Sequence, residues 1–413
     1  MNDASAHPSA LDSRTAWIVT SGALAILTIA FGAPLLSAVA LKPIAADLHT
    51  ARAAPSAAGS FTYIGGAFGG ILAGWLSGRI AIRWIVMFGA VMLSAGLVVS
   101  ASGGLLTLYV GHGVLMGLLG TSCMFSPLVT YVSRWFDRRR GAAVALISSG
   151  QSVSGALWPV LFQAGIGNLG WRSTMMVYGG FVIVAILLLA VIFLRQPPEA
   201  STSPGAGRRG PLAGALVIGL PPNAMMILLM IAVFCCCVPM SMPMQHIVAF
   251  CGDLGFASTH GAAMLSVLLG SAFIARMLWG ALADKVGGLQ TLFWSSLAQL
   301  VALSGFLLTR NEAALFAISA AFGLGLSGLL PAYVITIREF YPAIEANWRV
   351  PTVLLAGYVG MAGGGWGAGV IYDHFGQYLP AFGFGIVLNV VNLFLLLWLV
   401  IRQGGIGSRP AVA

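Results

Sequence analysis

One arginine lies inside a long apolar stretch of the chain. Arg276 precedes Asp284 by eight residues, so on a helix it would lie about 12 Å from that charge along the axis. A guanidinium in such a position costs at least ~2.5 kcal/mol unless it faces water or an acceptor. None of the eleven acidic residues lies in the middle of an apolar run. Arg276 is therefore a candidate for bidentate binding of a carboxylate from outside the chain; alternatively, it donates to carbonyl groups of a broken helix.

Two titratable residues, His246 and Asp253, lie seven positions apart in another apolar run. Seven residues are close to two helical turns, so both side chains share one face near the end of a helix. Histidine titrates near neutral pH, and desolvation favours the protonated form of a partly buried aspartate. The pair is a candidate for proton coupling. The alternative is that His246 packs between helices and Asp253 ends its helix in solvent.

The composition predicts that the elements carrying these residues cross a membrane. Of 413 residues, 59% are hydrophobic and 8% are charged, and the mean hydropathy is +0.94. Soluble domains carry about 25% charged residues. The composition therefore excludes a soluble enzyme, a disordered chain and a disulfide-stabilised secreted domain. The net charge of +9 does not predict a nucleic-acid partner, because no soluble basic domain exists to carry it.

Twelve apolar runs are long enough to span a bilayer, which takes about 20 residues. They lie at residues 17–40, 55–78, 84–103, 106–132, 141–165, 174–194, 223–250, 258–282, 289–308, 313–336, 350–372 and 379–401. The segment 196–222 is rich in Pro, Gly, Ser and Arg and predicts a flexible cytoplasmic linker, or an ordinary long loop. The expected domains are an N-terminal six-helix bundle at 1–195 and a C-terminal one at 223–413.

The basic residues predict the orientation. With both termini in the cytoplasm, fifteen of the 20 basic residues fall in cytoplasmic segments and four fall in outer ones. Such an excess in short loops follows the positive-inside rule. We therefore expect a multi-pass protein with both termini cytoplasmic, in a bacterial inner membrane.

The ends of the second and eighth runs are similar to each other. Residues 74–79 read GWLSGR and residues 280–285 read GALADK, an offset of 206 residues. A duplication with matching inner loops is typical of transporters built from two parallel halves. Residues 280–287 resemble the inner-loop motif of the major facilitator superfamily. The first copy departs from that motif, because Gly78 stands where the family usually has an aspartate.

Three further segments resemble the monocarboxylate transporters and the oxalate/formate-type anion porters of this superfamily. They are residues 135–141, which read WFDRRRG, residues 246–256, with His246, Phe250 and Asp253, and residues 275–280 around Arg276. The resemblance implies an all-α membrane protein with 12 transmembrane helices in two six-helix bundles and alternating access to a central site. It also implies that Arg276 binds the substrate carboxylate.

Four other residues are candidates for lining the substrate site. Phe125 stands where these transporters commonly have a tyrosine. Gln151, like Ser154, could donate hydrogen bonds to a substrate, although helix packing is the alternative. Tyr358 and Trp366 are eight residues apart and share a helix face, so they line either the cavity or a packing interface.

These observations predict a secondary active transporter of a small monocarboxylate such as lactate or pyruvate, working by proton symport. A single buried cation favours a monoanion. The alternative is an anion exchanger or uniporter without proton coupling. We expect a monomer in the lipid bilayer, with no cofactor and no metal. An enzyme is not expected, because the sequence contains no Gly-x-Ser-x-Gly, His-Glu-x-x-His or Walker-type motif.

Overall fold

The computed structural model describes residues 11–77, 79–137, 139–195 and 216–405, apart from the side chains of Trp75, Arg140, Ala343 and Asn347. Within these ranges, the chain consists of helices joined by short turns, and the only β-type pairing is one isolated bridge between Val217 and Leu220. The predicted all-helical architecture is confirmed. Most of the predicted linker, at 196–215, lies outside the described residues, so the domain boundaries stay a prediction.

The described part of the N-terminal half contains nine α-helices and two short segments of other helix types. These elements are α1 (Arg14–Ala30), α2 (Gly32–Val39), α3 (Leu41–Asp47), α4 (Ala53–Leu76), α5 (Ile82–Ser102), α6 (Leu105–Tyr109), a π-helix (Val110–Gly120), a 3-10 turn (Thr121–Cys123), α7 (Phe125–Ser133), α8 (Arg140–Ser148) and α9 (Gly150–Phe193).

The described part of the C-terminal half contains seven α-helices. They are α10 (Pro222–Asp253), α11 (Ser258–Val286), α12 (Gly288–Leu308), α13 (Glu312–Leu326), α14 (Leu329–Phe340), α15 (Ala343–Phe375) and α16 (Leu379–Arg402).

Ten segments of the described chain are long and apolar enough to cross a membrane. One of them, Gly141–Phe193, contains two of the predicted spans. The chain turns between these two spans at Gly170, whose φ of 78° lies in a region that favours glycine. The predicted span at 55–78 corresponds to α4, which is not among the ten. The number of twelve spans therefore stays a prediction.

Two predicted spans, at 17–40 and 106–132, each correspond to one segment that is long and apolar enough to cross a membrane, but neither is a continuous α-helix. The run at 17–40 breaks at Phe31, just before α2, because Pro34 in the first turn of α2 has no N–H to donate to the preceding turn. The run at 106–132 changes to a π-helix at Val110 and returns to α-helix at Phe125. Its widened turns lie against α4, where a Cβ at Gly65 would lie 2.2 Å from the carbonyl oxygen of Gly113.

The two halves meet mainly along two helix pairs, α4 with α15 and α9 with α11, and α10 also contacts α2 and α3. Both contacts depend on glycine, because a Cβ at Gly369 would lie 2.5 Å from Oγ of Ser56, and a Cβ at Gly155 would lie 2.3 Å from Cβ of Leu269. Small residues let membrane helices approach this closely. These pairs bring Arg276 on α11 and Asp253 on α10 close to the N-terminal half.

Candidate functional site

Arg276 contacts the N-terminal half through one main-chain carbonyl. Its Nη1 donates to the carbonyl oxygen of Ser148 at 2.7 Å. That carbonyl is free because the helix is interrupted between α8 and α9, where the N–H of Ser152 donates to Ser149 instead, at 2.9 Å. The contact matches the alternative drawn from the sequence, in which the arginine binds a carbonyl of a broken helix.

The guanidinium of Arg276 has hydrogen-bonding capacity left over. Its Nε is buried and has no hydrogen-bond partner in the described part of the chain. An unpaired buried donor costs about 1–3 kcal/mol. Nε and a neighbouring Nη nitrogen form a flat edge that matches the two oxygens of a carboxylate. The arrangement can therefore accept a planar monoanion at the interface between the halves.

Gln151 and Phe125 lie on N-terminal elements beside helix breaks. Gln151 follows Ser148 by three residues, about one helical turn, and its side chain is exposed. Phe125 begins α7, and its ring lies edge-on to the ring of Phe31, with the centroids 5.9 Å apart. Phe31 marks the break between α1 and α2. The substrate-binding roles of Gln151 and Phe125 stay predictions.

Tyr358 and Trp366 differ in their surroundings although both belong to α15. Tyr358 packs against the apolar core of the C-terminal half, as does Tyr63 from α4. Trp366 is 51% exposed and lies in register with Val359 and Val370, which are also exposed. An exposed apolar stripe is typical of a helix side that faces lipid. The described contacts connect neither residue with Arg276, so their cavity roles also stay predictions.

Asp253 is the centre of an ion-pair network that joins the two halves. Arg52 donates to both carboxylate oxygens, from Nη1 to Oδ2 and from Nη2 to Oδ1, the latter at 2.7 Å. Nζ of Lys42 lies 3.0 Å from Oδ1. The two cations favour the ionised carboxylate. Asp253 is the last residue of α10 and is exposed, as in the alternative drawn from the sequence, but its carboxylate is paired with basic residues of the other half.

Asp373 forms a second contact between the two halves at the same end of the molecule. Its carboxylate accepts hydrogen bonds from the main-chain N–H groups of Arg52 and Ala53, at 2.8 and 2.7 Å. These N–H groups begin α4 and have no partner within that helix. Asp373 thus caps a helix of the opposite half. We call the end that contains Lys42, Arg52, Asp253, Asp373 and Tyr378 the closed end.

His246 belongs to the same hydrogen-bonded network. Its Nε2 lies 2.7 Å from the carbonyl oxygen of Gly365, and its Nδ1 lies 3.1 Å from the hydroxyl of Tyr378. A carbonyl only accepts, so Nε2 carries the proton in the neutral ring and Nδ1 accepts from Tyr378. The Tyr378 oxygen in turn accepts from Nη1 of Arg52 at 3.1 Å. The structure therefore connects His246 to Asp253 through Tyr378 and Arg52.

Two groups of the closed end keep fixed protonation states. Burial lowers the pKa of the Arg52 guanidinium, but the hydrogen bonds to Asp253 and Tyr378 outweigh burial and leave that pKa above its ordinary value. Burial raises the pKa of the Tyr378 hydroxyl, although the charge of Arg52 opposes the rise. Arg52 thus stays charged and Tyr378 stays a donor over the working pH range.

Sequence reasoning missed four residues of the closed end, which are Lys42, Arg52, Asp373 and Tyr378. One feature of the sequence could have identified Lys42 and Arg52, because they are two of only four basic residues predicted on the outer side. It also missed the Ser148 carbonyl. No side-chain pattern identifies a main-chain acceptor.

At the other end, the two similar segments have room around them. Neither Gly74, near the end of α4, nor Gly280, in the last turns of α11, would bring a Cβ within 4 Å of another part of the chain.

The sequence profile of the Major Facilitator Superfamily matches residues 18–347, which is more than half of the chain. The chain belongs to the Major Facilitator Superfamily. It is therefore a multi-pass membrane protein of this superfamily, and the predicted resemblance is confirmed.

Monocarboxylate transporters are among its relatives. Monocarboxylate transporter 6 of Mus musculus is 32% identical over 201 residues, which cover 47% of this chain and 42% of that protein. Monocarboxylate transporter 11 of Mus musculus is 27% identical over 400 residues, 97% of this chain and 80% of that protein. MFS-type transporter 1 of Ophiocordyceps is 25% identical over 288 residues, 68% of this chain and 61% of that protein. The match thus spans less than two thirds of the first and third relatives.

Solved transporter structures share the fold. The nucleoside transporter NupG superposes with a TM-score of 0.72 at 11% identity, over 92% of this chain and 100% of that chain. A D-xylose-proton symporter superposes with a TM-score of 0.68 at 13% identity, over 92% of this chain and 97% of that chain. At such low identity, the likeness establishes the major facilitator fold alone.

Proposed function

We propose that this transporter carries small monocarboxylates of the lactate and pyruvate type together with a proton. The observation that carries the proposal is the hydrogen bonding of Arg276, a basic residue within a span. Its Nη1 donates to a neutral carbonyl, and its buried Nε has no hydrogen-bond partner among the described residues. A carboxylate would satisfy the charge and the free donor together. The names of the mouse relatives support this class of substrate.

Substrate binding would replace a contact between the two halves. The Ser148 carbonyl belongs to the N-terminal half and Arg276 to the C-terminal half. A carboxylate that takes over the guanidinium releases that carbonyl and compensates the charge. Substrate would therefore bind the guanidinium more strongly than the carbonyl does, and the difference biases the equilibrium between conformations.

Asp253 is the proposed proton carrier. With the closed end shut, Arg52 and Lys42 stabilise its charge. When the halves separate there, the carboxylate loses both cations and the protonated form becomes favoured. Closing returns the cations and displaces the proton, which leaves toward the side opposite the shut end. We place the closed end outside and both termini in the cytoplasm of a bacterial inner membrane, which follows from the basic-residue distribution.

Uptake of labelled carboxylates into proteoliposomes tests substrate and coupling together. Lactate and pyruvate should saturate uptake, and an inward proton gradient should accelerate it. Oxalate and malonate should compete weakly, because a second charge finds no cation beside Arg276. Tight oxalate binding would show that a second cation reaches the site. If lactate exchange persists but the rate of uptake does not depend on the proton gradient, the result would favour the anion exchanger.

Variants of Arg276 test the carboxylate partner itself. Arg276→Ala removes the charge, and Arg276→Lys keeps the charge but loses the planar fork. We expect each variant to lower saturable uptake at least about 100-fold, because a charge-assisted bidentate pair is lost. Arg310→Gln is a matched control, since Arg310 is exposed at a turn between helices. Near-normal uptake by Arg276→Ala would remove the central claim.

A further inference from the structure

A cavity of about 570 Å³ lies in the N-terminal half, at the end of the molecule opposite the closed end. Its walls come from the end of α4, the start of α5, the end of α7 and the end of α9. Helix α4 begins at the closed end, just after Arg52, and runs for 24 residues, which is about 36 Å. The hydrocarbon core of a bilayer is about 30 Å thick. The cavity therefore lies near the membrane boundary on the side away from the closed end.

Three arginines from three helices line this cavity. They are Arg83 in the first turn of α5, Arg134 at the end of α7 and Arg195 just after α9. None of the described residues that line the cavity is acidic, and none of the ion pairs in the described part of the chain involves these arginines. Nε of Arg83 is buried and has no hydrogen-bond partner among the described residues. Because a buried donor without a partner is costly, the cavity favours an anionic ligand.

The start of α5 adds to the positive potential in the cavity. Ile82 and Arg83 begin this helix and both line the cavity, while Ala81 provides no side-chain cap and the first turn contains no acidic residue. The first N–H groups of a helix have no partner within it, and the helix dipole is positive there. Phosphate groups bind helix starts of this kind, and the arginine fork matches two phosphate oxygens. The ligand that fits best is therefore a phosphate group.

The rim of the cavity is apolar. Trp84, Val191 and Ile192 line it, and their side chains are 63%, 49% and 57% exposed. Exposed apolar side chains on spanning helices face lipid, and tryptophan is enriched at the boundary between membrane and water. A soluble phosphate would gain nothing from this rim, whereas a phospholipid would place its acyl chains against it. Basic pockets between spanning helices bind anionic headgroups in this way.

We propose that this cavity binds the phosphodiester headgroup of an anionic phospholipid, whose acyl chains lie along Trp84, Val191 and Ile192. The phosphate oxygens accept hydrogen bonds from the arginines. The cation of a zwitterionic headgroup would have no acidic partner among the described lining residues, so an anionic lipid is favoured. This inference does not depend on which substrate is carried.

The lipid would also act on the connection between the two halves. Arg195 is the last described residue before the predicted linker, and its carbonyl oxygen accepts from the Tyr131 hydroxyl at 2.7 Å. A headgroup bound to Arg134 and Arg195 would therefore hold the end of α9 against α7, at the point where the linker begins.

Native mass spectrometry of the detergent-solubilised full chain tests the site, with phosphatidylglycerol as the probe. The protein should retain one phosphatidylglycerol more tightly than a phosphatidylcholine with the same acyl chains. Arg83→Gln should raise the Kd of that lipid about tenfold, because a charge-assisted hydrogen bond is lost. Arg134→Gln should act in the same direction, and since Arg134 is exposed, it replaces Arg83→Gln should that variant fail to fold. Arg310→Gln removes an exposed arginine at a turn outside the cavity and should leave the Kd unchanged.

Thermal unfolding separates a lipid from a soluble phosphate. A ligand that binds the folded protein raises its melting temperature, so phosphatidylglycerol should raise it, whereas phosphatidylcholine and excess inorganic phosphate should not. The rise should be smaller in Arg83→Gln and Arg134→Gln. If inorganic phosphate gives an equal rise that these variants lose, the cavity takes a soluble phosphate and the lipid assignment is wrong. If both variants bind phosphatidylglycerol as tightly as the unchanged protein does, the lipid binds elsewhere and the proposal is overturned.

Discussion

Two arginines at the interface between the halves have very different partners. Arg52 binds a carboxylate with both ends of its fork, donates to Tyr378 and lies over the Tyr372 ring. Arg276 has one neutral carbonyl and a buried Nε without a partner. A fully satisfied guanidinium stabilises one conformation, whereas a partly satisfied one can exchange its partner. Under the proposed function, we therefore expect Arg52 to hold the closed end shut and Arg276 to bind the substrate.

Replacing Asp253 separates proton coupling from substrate movement. Asp253→Asn keeps the shape of the side chain but removes the group that alternates between ionised and protonated forms. We expect counterflow exchange of lactate to continue, while acceleration by an inward proton gradient is lost. The measurement is uptake into proteoliposomes with and without that gradient.

Glu312→Gln is the matched control for Asp253→Asn. Glu312 is an exposed acid at the start of α13 and pairs with His260 at 2.6 Å. Its replacement should leave the response to the gradient intact. If the Asp253→Asn protein still concentrates lactate in response to the gradient, Asp253 is not the proton carrier.

Charged residues in apolar runs were the predictable part of the site. Arg276, His246 and Asp253 stand out because such residues are costly in a membrane. Lys42, in the short helix α3, and Arg52, just before α4, lie outside the predicted apolar runs, where basic residues are ordinary. Only the fold places them against Asp253. The link from His246 to Asp253 through Tyr378 also depends on tertiary contact.

Among the helices, α15 shows how closely two spans can approach. A Cβ at Gly364 would lie 2.1 Å from the carbonyl oxygen of Val238 on α10, and a Cβ at Gly360 would lie 2.8 Å from that of Phe234. Successive turns of α15 therefore present bare backbone to α10. Gly363, on another side of the helix, has nothing within 4 Å of its Cβ position.

This difference gives a matched pair of substitutions. Gly364→Ala should destabilise the protein by about 1–3 kcal/mol, because the methyl group forces α10 and α15 apart. Gly363→Ala adds the same methyl group in open space and should be neutral or stabilising by up to ~1 kcal/mol, since alanine favours helix. Thermal unfolding of the detergent-solubilised proteins measures both. Equal melting temperatures would contradict this packing.

Helix existence was predictable from apolar run length, but helix interruptions were not. Most predicted spans match a helix to within a few residues, for example 289–308 against α12 at Gly288–Leu308. The π-helix at Val110–Gly120 depends on the close approach of α4, which hydropathy does not report. The helix interruption at Ser149 does not change the hydropathy of the run that contains it. The sequence therefore did not indicate that the Ser148 carbonyl would be free to accept from Arg276.

Over the whole molecule, the closed end has to open in every transport cycle. Ser56 on α4 and Gly369 on α15 belong to opposite halves, and a Cβ at Gly369 would lie 2.5 Å from Oγ of Ser56. Cysteines at both positions lie within reach of a disulfide. Oxidation of the Ser56→Cys/Gly369→Cys protein should abolish uptake, and a reductant should restore it.

A cross-link within one half controls for the effect of oxidation. A Cβ at Gly261 on α11 would lie 3.3 Å from Cβ of Cys251 on α10, so Gly261→Cys can pair with the native cysteine. That bond joins two helices of the C-terminal half and should leave uptake largely intact. Normal uptake by the oxidised Ser56–Gly369 pair would mean that this end need not open.

The neutral partner of Arg276 lets membrane voltage report what travels with the substrate. Among the described residues, the guanidinium has only the Ser148 carbonyl beside it, so its positive charge is uncompensated, and moving one charge across the bilayer is worth about 2.3 kcal/mol per 100 mV. A bound monocarboxylate cancels that charge and a proton on Asp253 adds one back, so under the proposed symport the loaded and empty proteins carry the same charge. Accumulation of lactate should therefore be independent of an imposed potassium diffusion potential. Accumulation that changes with that potential would mean that the anion moves without the proton.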